Sequence, residues 1–365
     1  MSRQDETRTR VAVIFGGRSA EHDVSCRSAV SVLRFLDRAR YEVVPIRISR
    51  EGEWLVGIDR PVAALDVAAL DAMTSQDGLD RPSPADSLFA ALDRLQSVDV
   101  AFPCLHGTYG EDGTIQGFLE LAGVRYVGSG VLASATAMDK EFTKKIVGAE
   151  GIAVADGIVL RAPDGDLGPA DRARLGLPVF VKPARSGSSV GVSRVDDWDK
   201  LAAAIDAARE CDTKVLVEAA VPGREIDLGL LQQPDGEVLV GPPLEINVGG
   251  PSSFFDFSAK YQPGAAELVV PADLDPESSA LLAYTARRIF DVLGCAGLLR
   301  ADFFLAEVSG RVVPVLNEVN SMPGLTELSQ FPQIWRAGGL SYPELLDRLL
   351  ATALASARSS MPALR

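Results

Sequence analysis

The sequence has few cysteines and histidines and no long apolar runs. Its 365 residues include 4 cysteines and 2 histidines, and the cysteines are widely separated. Zinc sites and redox dithiols use closely spaced pairs, so this spacing argues against both and indicates reduced thiols. The first ten residues are polar, and no segment approaches the roughly 20 apolar residues that a membrane span needs. These absences predict a cytoplasmic protein without a membrane anchor.

Positive charge is also scarce. There are 36 Lys and Arg residues against 50 Asp and Glu, a net charge of -14. Such a field repels nucleic-acid phosphates and anionic lipids, so we expect neither as a partner. The composition is 47% hydrophobic and 24% charged, which is typical of a folded protein, and the length predicts two or three packed domains.

The first third of the chain has the pattern of an open α/β sheet. The expected elements are a strand at 11–15 ending in two glycines, a helix with a buried face at Val30, Leu33 and Leu36, strands at 41–48 and 98–102, and a helix at 114–122. Residues 63–95 fit less well. Their composition indicates a helical insertion broken near Ser83-Pro84, to which we assign no chemistry.

The remainder alternates helices with short strands. We expect a helix at 133–149, strands at 178–182 and 190–194 joined by a glycine-serine tip, and strands at 214–218 and 225–231. Asp275 followed by proline predicts a helix start, with Gly294 as its stop. Ser341 and Glu344 have the spacing of a capping box that opens a final helix.

Two strands near the C-terminus carry polar side chains in an apolar setting. Residues 299–305 and 312–320 predict a hairpin, in which Arg300 and Asp302 share one face of the first strand. Glu318 and Asn320 share one face of the second. An oxygen-only set of this kind suits Mg²⁺, although a polar sheet face with salt bridges is the alternative. Because charges among apolar residues need partners, we favour the metal.

Several loops remain open to two interpretations each. Residues 186–191 (SGSSVG) form either a flexible hairpin tip or a phosphate cradle, which Lys182 in the preceding apolar strand favours. The turn at 321–326 is either a plain turn or part of an oxyanion hole beside Arg300.

Glu21 either binds an ammonium group or matches a helix dipole. His22 and His106 are each either structural or proton carriers. The aromatic loop at 254–261 is either core packing or a lid.

Six motifs together resemble the D-alanine:D-alanine ligase family of the ATP-grasp superfamily over roughly residues 11–355. They are 16–21 (GGRSAE), 105–117 (LHGTYGEDGTIQG), 138–140 (MDK), 182–191 (KPARSGSSVG), 259–261 (AKY) and 317–324 (NEVNSMPG). The resemblance implies a three-domain α/β ATP-grasp fold with an N-terminal open α/β (pre-ATP-grasp) domain. It implies an N-terminal substrate-binding domain at 1–130, a central ATP-grasp subdomain at 131–220, and a C-terminal subdomain with metal site and lid at 221–365.

The same resemblance implies an ATP- and Mg²⁺-dependent ligase that joins two D-alanines through a D-alanyl phosphate, for peptidoglycan precursor synthesis. It further implies two magnesium ions, for which Mn²⁺ substitutes, and a homodimer. The acceptor stays open, because Gln330 occupies a second-subsite position that is often apolar in relatives. The alternatives are a ligase with another acceptor, such as D-serine, D-lactate or a specialised metabolite, and a non-catalytic ATP-binding regulator.

Residue roles follow from the matched motifs. Glu21 resembles the carboxylate that binds the first substrate's ammonium, with Ser188 and Tyr261 completing a triad and His106 beside it. The resemblance assigns the phosphates to Lys140, Lys182 and the lid lysine Lys260, the adenine and ribose to Glu218 and Glu225, magnesium to Asp302, Glu318 and Asn320, the oxyanion hole to Arg300 and Gly324, and the second substrate's carboxylate to Ser329.

Overall fold

The computed structural model describes residues 8–59, 65–74, 83–162, 166–248 and 266–356. In these residues the chain forms three β-sheets flanked by helices. The α/β class expected from the sequence is therefore confirmed. Residues 249–265, which contain Lys260, Tyr261 and the aromatic loop, lie outside the described part.

The N-terminal sheet has the strand order β3-β2-β1-β4. Its elements are β1 (Thr9–Gly16), α1 (His22–Phe35), β2 (Tyr41–Ile48), β3 (Trp54–Val56), α2 (Val67–Thr74), α3 (Pro84–Leu95), β4 (Val100–Pro103) and α4 (Thr114–Leu121). Strand β1 is parallel to both β2 and β4. Its apolar run is fully buried, because α1 packs on one face and α4 on the other. The edge strand β3 pairs antiparallel with β2. The carboxyl ends of β1 and β4 therefore bring the loops after Gly16 and Pro103 to one edge.

The predicted helical insertion comprises α2 and α3 in its described part. The side chain of Ser83 accepts a hydrogen bond from the Asp86 N–H, and Pro84 takes the first helical position. This start matches the predicted break at Ser83-Pro84, because a proline at that position costs the helix no internal hydrogen bond.

The central sheet is antiparallel, with the order β5-β8-β6-β7. The elements of this part are α5 (Val131–Met138), α6 (Lys140–Ala149), β5 (Gly157–Arg161), α7 (Pro169–Leu175), β6 (Val179–Pro183), β7 (Ser193–Val195), α8 (Leu201–Arg209) and β8 (Lys214–Ala219). The hairpin of β6 and β7 around the glycine-serine loop is confirmed. Strand β7 is shorter than the predicted 190–194 and begins later.

The prediction of one helix over 133–149 is wrong. Asp139 has an extended backbone (φ -92°, ψ 100°) and separates α5 from α6. Its carboxylate accepts hydrogen bonds from the N–H groups of Glu141 and Phe142. Asp139 is thus an N-cap, and capping gains outweigh the helical continuity that the apolar pattern indicated.

The C-terminal sheet has the order β12-β11-β9-β13-β14, with β10 paired to β9. Its elements are β9 (Arg224–Gln232), β10 (Val238–Val240), β11 (Leu244–Val248), β12 (Ala266–Val269), α9 (Pro276–Val292), β13 (Leu298–Val308), β14 (Arg311–Asn320), α10 (Gln330–Ala337) and α11 (Tyr342–Ala355). The predicted helix start at Asp275 and the capping box of Ser341 and Glu344 are confirmed.

One hydrophobic core joins the two ends of the chain. Val13 and Phe102 of the N-terminal sheet belong to the same buried cluster as Phe331 of α10 and Leu346 and Leu349 of α11. This shared core fixes the turn between β14 and α10 against the loop that follows β4. Both segments carry predicted site residues.

Candidate active site

A cleft between the central and C-terminal sheets gathers seven of the fifteen predicted site residues. Its cavity has a volume of about 850 Å³. The predicted residues in its lining are Lys140, Lys182, Glu218, Glu225, Arg300, Asp302 and Glu318. They come from α6, from strands of both sheets and from the hairpin, so the fold brings together positions that are distant in the sequence.

The hairpin of β13 and β14 has the predicted geometry. Asp302 lies directly opposite Glu318, and Arg300 lies opposite Asn320. The Asn320 amide donates to Asp302 Oδ2 at 3.0 Å. Strand alternation therefore brings two carboxylates and one amide to a single face, as the sequence pattern predicted.

Arg300 is enclosed by acidic side chains. Its Nε and Nη2 donate to the two Asp302 oxygens, each at 2.7 Å. Asp227 Oδ2 of β9 lies 3.4 Å from Nε, and Asp227 is 0% exposed. Burial alone would lower the pKa of Arg300, but Asp302 and then Asp227 reverse this and raise it. The guanidinium is therefore held as a cation. Asp227 was missed, although an acid within the apolar strand β9 was a signal for it.

Two lysines share the buried carboxylate of Glu218. Lys182 Nζ lies 2.6 Å from Glu218 Oε2, and Lys144 donates to Oε1. Burial lowers the pKa of Lys144 to about 8, whereas for Lys182 the charge of Glu218 outweighs burial and raises the pKa. Lys144 was not among the predicted residues. Its position one helical turn after Lys140, on the same face of α6, was the available signal.

Lys140 links the glycine-serine loop to the hairpin. Its Nζ donates to the Ser186 carbonyl at 2.8 Å and lies 3.2 Å from Glu318 Oε2. The cationic groups of the cleft are therefore each paired with an acidic side chain. Because the buried charges are paired, keeping them in place without a ligand costs less free energy than burying them unpaired.

Glu21 lies under the glycine-serine loop. Ser188 Oγ donates to Glu21 Oε1, so the structure brings these two predicted residues together. Glu21 Oε2 is buried and has no hydrogen-bond partner among the described residues. A Cβ built on Gly107 or Gly187 would lie 2.7 or 2.4 Å from Oε2, so a side chain at either position would crowd the carboxylate. A buried carboxylate oxygen without a donor is suited to a cationic ligand.

His106 uses both ring nitrogens within the protein. Nδ1 lies 3.0 Å from the Met322 carbonyl, and Nε2 lies 2.9 Å from Ser28 Oγ. Burial lowers the pKa of His106. The imidazole is therefore neutral, with its proton on Nδ1, and its predicted place beside the first-substrate subsite stays a prediction. His22 is also buried, with Nδ1 2.7 Å from the Gly17 carbonyl.

Gly324 and Ser329 lie close together in space in the turn before α10. A Cβ on Gly324 would lie 3.0 Å from Ser329 Oγ. Ser329 Oγ accepts a hydrogen bond from the Thr326 N–H at 3.2 Å and lies 2.7 Å from Thr326 Oγ1. Gly324, predicted for the oxyanion hole, and Ser329, predicted for the second substrate, thus lie close together before α10. Arg300, the other residue predicted for the oxyanion hole, lies on β13.

The sequence matches two family descriptions that together cover most of the chain. Residues 10–129 match "D-ala D-ala ligase N-terminus" and residues 146–351 match "D-ala D-ala ligase C-terminus". The D-alanine--D-alanine ligase of Mycolicibacterium paratuberculosis is 52% identical over 362 residues, covering 95% of this chain and 97% of its own length. That of Mycolicibacterium smegmatis is 51% identical, with 95% and 96% covered.

Solved structures give the same result. The VanG D-Ala:D-Ser ligase from Enterococcus faecalis superposes with a TM-score of 0.77 at 33% identity, covering 95% of this chain and 100% of its own. The D-alanine--D-alanine ligase from Bacillus anthracis complexed with ATP gives 0.73 at 29% identity, with 95% and 97% covered. None of the helices in the described residues is long and apolar enough to cross a bilayer. On the strength of these sequence matches, the chain belongs to the D-alanine–D-alanine ligase family.

Proposed function

We propose that this protein uses ATP to join two D-alanines into D-alanyl-D-alanine for peptidoglycan precursor synthesis. The observation that carries the proposal is the convergence of Arg300, Asp302 and Glu318 in one cleft. Lys140 and Lys182, the lysines predicted to bind phosphate, line the same cleft. The relatives named D-alanine--D-alanine ligase support it, and the relative complexed with ATP supports the nucleotide.

In the proposed reaction, the first D-alanine binds through its ammonium to Glu21 Oε2, beside Ser188. Its carboxylate oxygen attacks the γ-phosphorus of ATP, the bond to the β-phosphate oxygen breaks, and ADP leaves. Lys140 and Lys182 exchange their carboxylate partners for phosphate oxygens and neutralise the transferring group. Lys260 and Tyr261 remain predictions of the lid lysine and the third triad member.

The second step forms the amide. The amine of the second D-alanine, bound through its carboxylate at Ser329, attacks the acyl phosphate carbonyl and phosphate leaves. Negative charge develops on the carbonyl oxygen, where Arg300 and the Gly324 N–H are the proposed donors. Preorganised donors of this kind contribute about 3–4 kcal/mol each when removed one at a time.

Asp302, Glu318 and Asn320 fit Mg²⁺. They share one face of the hairpin, where the Asn320 amide donates to Asp302. Hard oxygen donors, which all three side chains carry, are what this ion prefers. Because Mg²⁺ usually keeps several waters and binds substrate phosphates, phosphate and water would complete its coordination here. When bound, two magnesium ions would neutralise phosphate charge, and Mn²⁺ would substitute. Glu218 and Glu225 are proposed to read the adenine amine and the ribose hydroxyls.

We further propose a cytoplasmic homodimer. The cytoplasm is where ATP is available to such a ligase, and the dimer rests on the family resemblance. Light scattering that gives twice the mass of the chain supports the dimer, and the mass of one chain contradicts it.

D-serine is the second candidate acceptor. Gln330 lines the cleft and adds a polar group near the second subsite, and the VanG relative is named a D-Ala:D-Ser ligase. Purified protein with ATP, Mg²⁺ and a panel of D-alanine, D-serine and D-lactate separates the candidates by product mass. D-alanyl-D-alanine as the main product supports the first proposal. D-alanyl-D-serine as the only product favours D-serine as the acceptor. Nucleotide binding without turnover would indicate a regulator.

A further inference from the structure

The backbone of Met322 is held on both sides by the loop that follows β4. His106 Nδ1 donates to the Met322 carbonyl at 3.0 Å, and Glu111 Oε2 accepts from the Met322 N–H at 3.3 Å. The second contact joins residues 211 positions apart. Glu111 Oε1 also accepts from the Gly107 N–H at 2.9 Å, so one carboxylate fastens its own loop and the distant turn.

Ser28 of α1 adds a third contact to the same turn. Its Oγ lies 2.9 Å from His106 Nε2 and accepts from the Leu325 N–H at 3.3 Å. Since His106 carries its proton on Nδ1, the Ser28 hydroxyl donates to Nε2 and its lone pair remains for Leu325. We call Ser28, His106 and Glu111 the turn clamp. It holds the residues on both sides of Gly324, with Met322 before it and Leu325 after it.

Glu111 is an energetically unfavourable residue for this position. It is buried, and burial and then the neighbouring Glu21 raise its pKa to about 8 against the opposing effects of its backbone donors and Arg300. If loop closure were its whole task, a contact to the Gly107 N–H alone would suffice, and a smaller polar residue could make it. The contact to Met322 is the one that requires a long side chain with two acceptor oxygens.

We propose that Glu111 is a positioning residue that aligns the Gly324 oxyanion turn with the first-substrate subsite. The proposal rests on the proposed function, because it assigns the turn a role in amide formation. Glu111 acts through the Met322 backbone and does not touch the reacting atoms. Loosening the clamp slows attack by the second amine, while the acyl phosphate still forms. Water then attacks the waiting carbonyl, returning D-alanine and phosphate.

The experiment measures phosphate release and dipeptide formation together, in wild type and Glu111→Gln. Glutamine keeps the size but presents one acceptor oxygen and one N–H₂ group, so it cannot accept from both backbone donors. We expect dipeptide formation to fall about tenfold or more, because the variant leaves one of two backbone N–H groups without an acceptor. The ratio of phosphate to dipeptide should rise above one, and KM for ATP should stay within about twofold, since the nucleotide lies outside the clamp.

Ser28→Ala is the second variant, and it tests the positioning of the turn if Glu111→Gln fails to fold. It removes the Leu325 contact from a different element and should also raise the phosphate-to-dipeptide ratio. Asp112→Asn is the control, because Asp112 caps the N–H groups of Tyr109 and Thr114 within the same loop and does not reach the turn. Its ratio should stay at one.

The outcomes are distinguishable. Folded variants that match wild type, or that are slower with a ratio of one, overturn the positioning role while leaving the ligase function intact. A wild-type protein that makes no dipeptide overturns the proposed function itself, and the role of Glu111 falls with it.

Discussion

At the scale of single residues, the cleft is organised by ion pairs that a bound nucleotide and cation would rearrange. Lys140 holds Glu318, Lys182 holds Glu218, and Arg300 holds Asp302. Under the proposed function, each cation is thus fixed near the place where a phosphate or an oxyanion would arrive. Preorganisation of this kind is what electrostatic catalysis requires, since dipoles and charges need not reorient during the reaction.

Glu318→Ala should lower turnover by at least ~100-fold, because a metal supplies several kcal/mol of transition-state stabilisation. The fold should persist, since Glu318 lies at the cleft and Lys140 keeps its bond to the Ser186 carbonyl. Steady-state rates with ATP and D-alanine, beside a thermal melt, measure both effects. Glu307→Ala is the matched control, an exposed glutamate on the same hairpin. Near-normal turnover in Glu318→Ala would rule out the metal role.

The hairpin residues were predictable because strand alternation and an apolar setting are local properties of the sequence. Arg300, Asp302, Glu318 and Asn320 could be assigned to shared faces from the period of two alone. Glu111 could not, because its partner Met322 lies on a segment distant in the chain. A buried acid can be recognised in a sequence only when its neighbours in the sequence are apolar. Residues 105–113 are mostly polar or glycine, so they give no sign that Glu111 is buried.

At the scale of elements, the division between α5 and α6 is the informative departure from the sequence pattern. Asp139 caps α6 and also binds Lys214 of β8, so one side chain ends a helix pair and ties it to the central sheet. Periodicity within 133–149 could not reveal this, because the competing partner lies 75 residues away. Helix propensity is a weak influence beside such tertiary contacts.

Glu141 in the first turn of α6 gives a pH test of this anchoring. Burial disfavours its charge, but hydrogen bonds from Lys145, Lys214 and Arg161 prevail and lower its pKa from 4.5 to about 2. The stabilisation is therefore fully present above pH 4.5 and is lost as the pH falls from there towards 2. Glu141→Gln should destabilise the protein by about 1.5–3 kcal/mol at pH 7, as for loss of a charged hydrogen bond.

Thermal unfolding of wild type and Glu141→Gln across pH 2–7 measures this difference, and the gap between their melting temperatures should narrow below pH 4.5. Glu150→Gln is the control, because Glu150 is exposed at the far end of the same helix. A gap that stays constant down to pH 2 would contradict the anchoring role of the charge.

At the scale of the whole molecule, the two ends of the chain share one hydrophobic core. Helix α11 packs in the same cluster as β1 and β4. This packing brings the loop of His106 to the turn of Gly324, which no local pattern could predict. Helices α5 and α6 likewise contribute Ala133 and Val147 to the core of the C-terminal sheet. The domain limits at 130 and 220 therefore stay proposals, since packing here crosses sequence boundaries.

The net charge of -14 makes the local field of the cleft more important. A molecule with this overall charge repels a polyanion such as ATP at long range, and attraction must come from nearby cations. Lys140, Lys144, Lys182 and Arg300 supply it where the sheets meet. Divalent cations bound to Asp302 and Glu318 would add to the attraction for ATP.

The most direct test is a crystal structure of the protein with Mn²⁺, a non-hydrolysable ATP analogue and D-alanine, read by its anomalous signal. We expect manganese in direct contact with oxygens of Asp302, Glu318 and Asn320 and with the analogue's phosphates, and the D-alanine ammonium on Glu21. Manganese bound elsewhere, with those three side chains turned away from the nucleotide, would contradict the account.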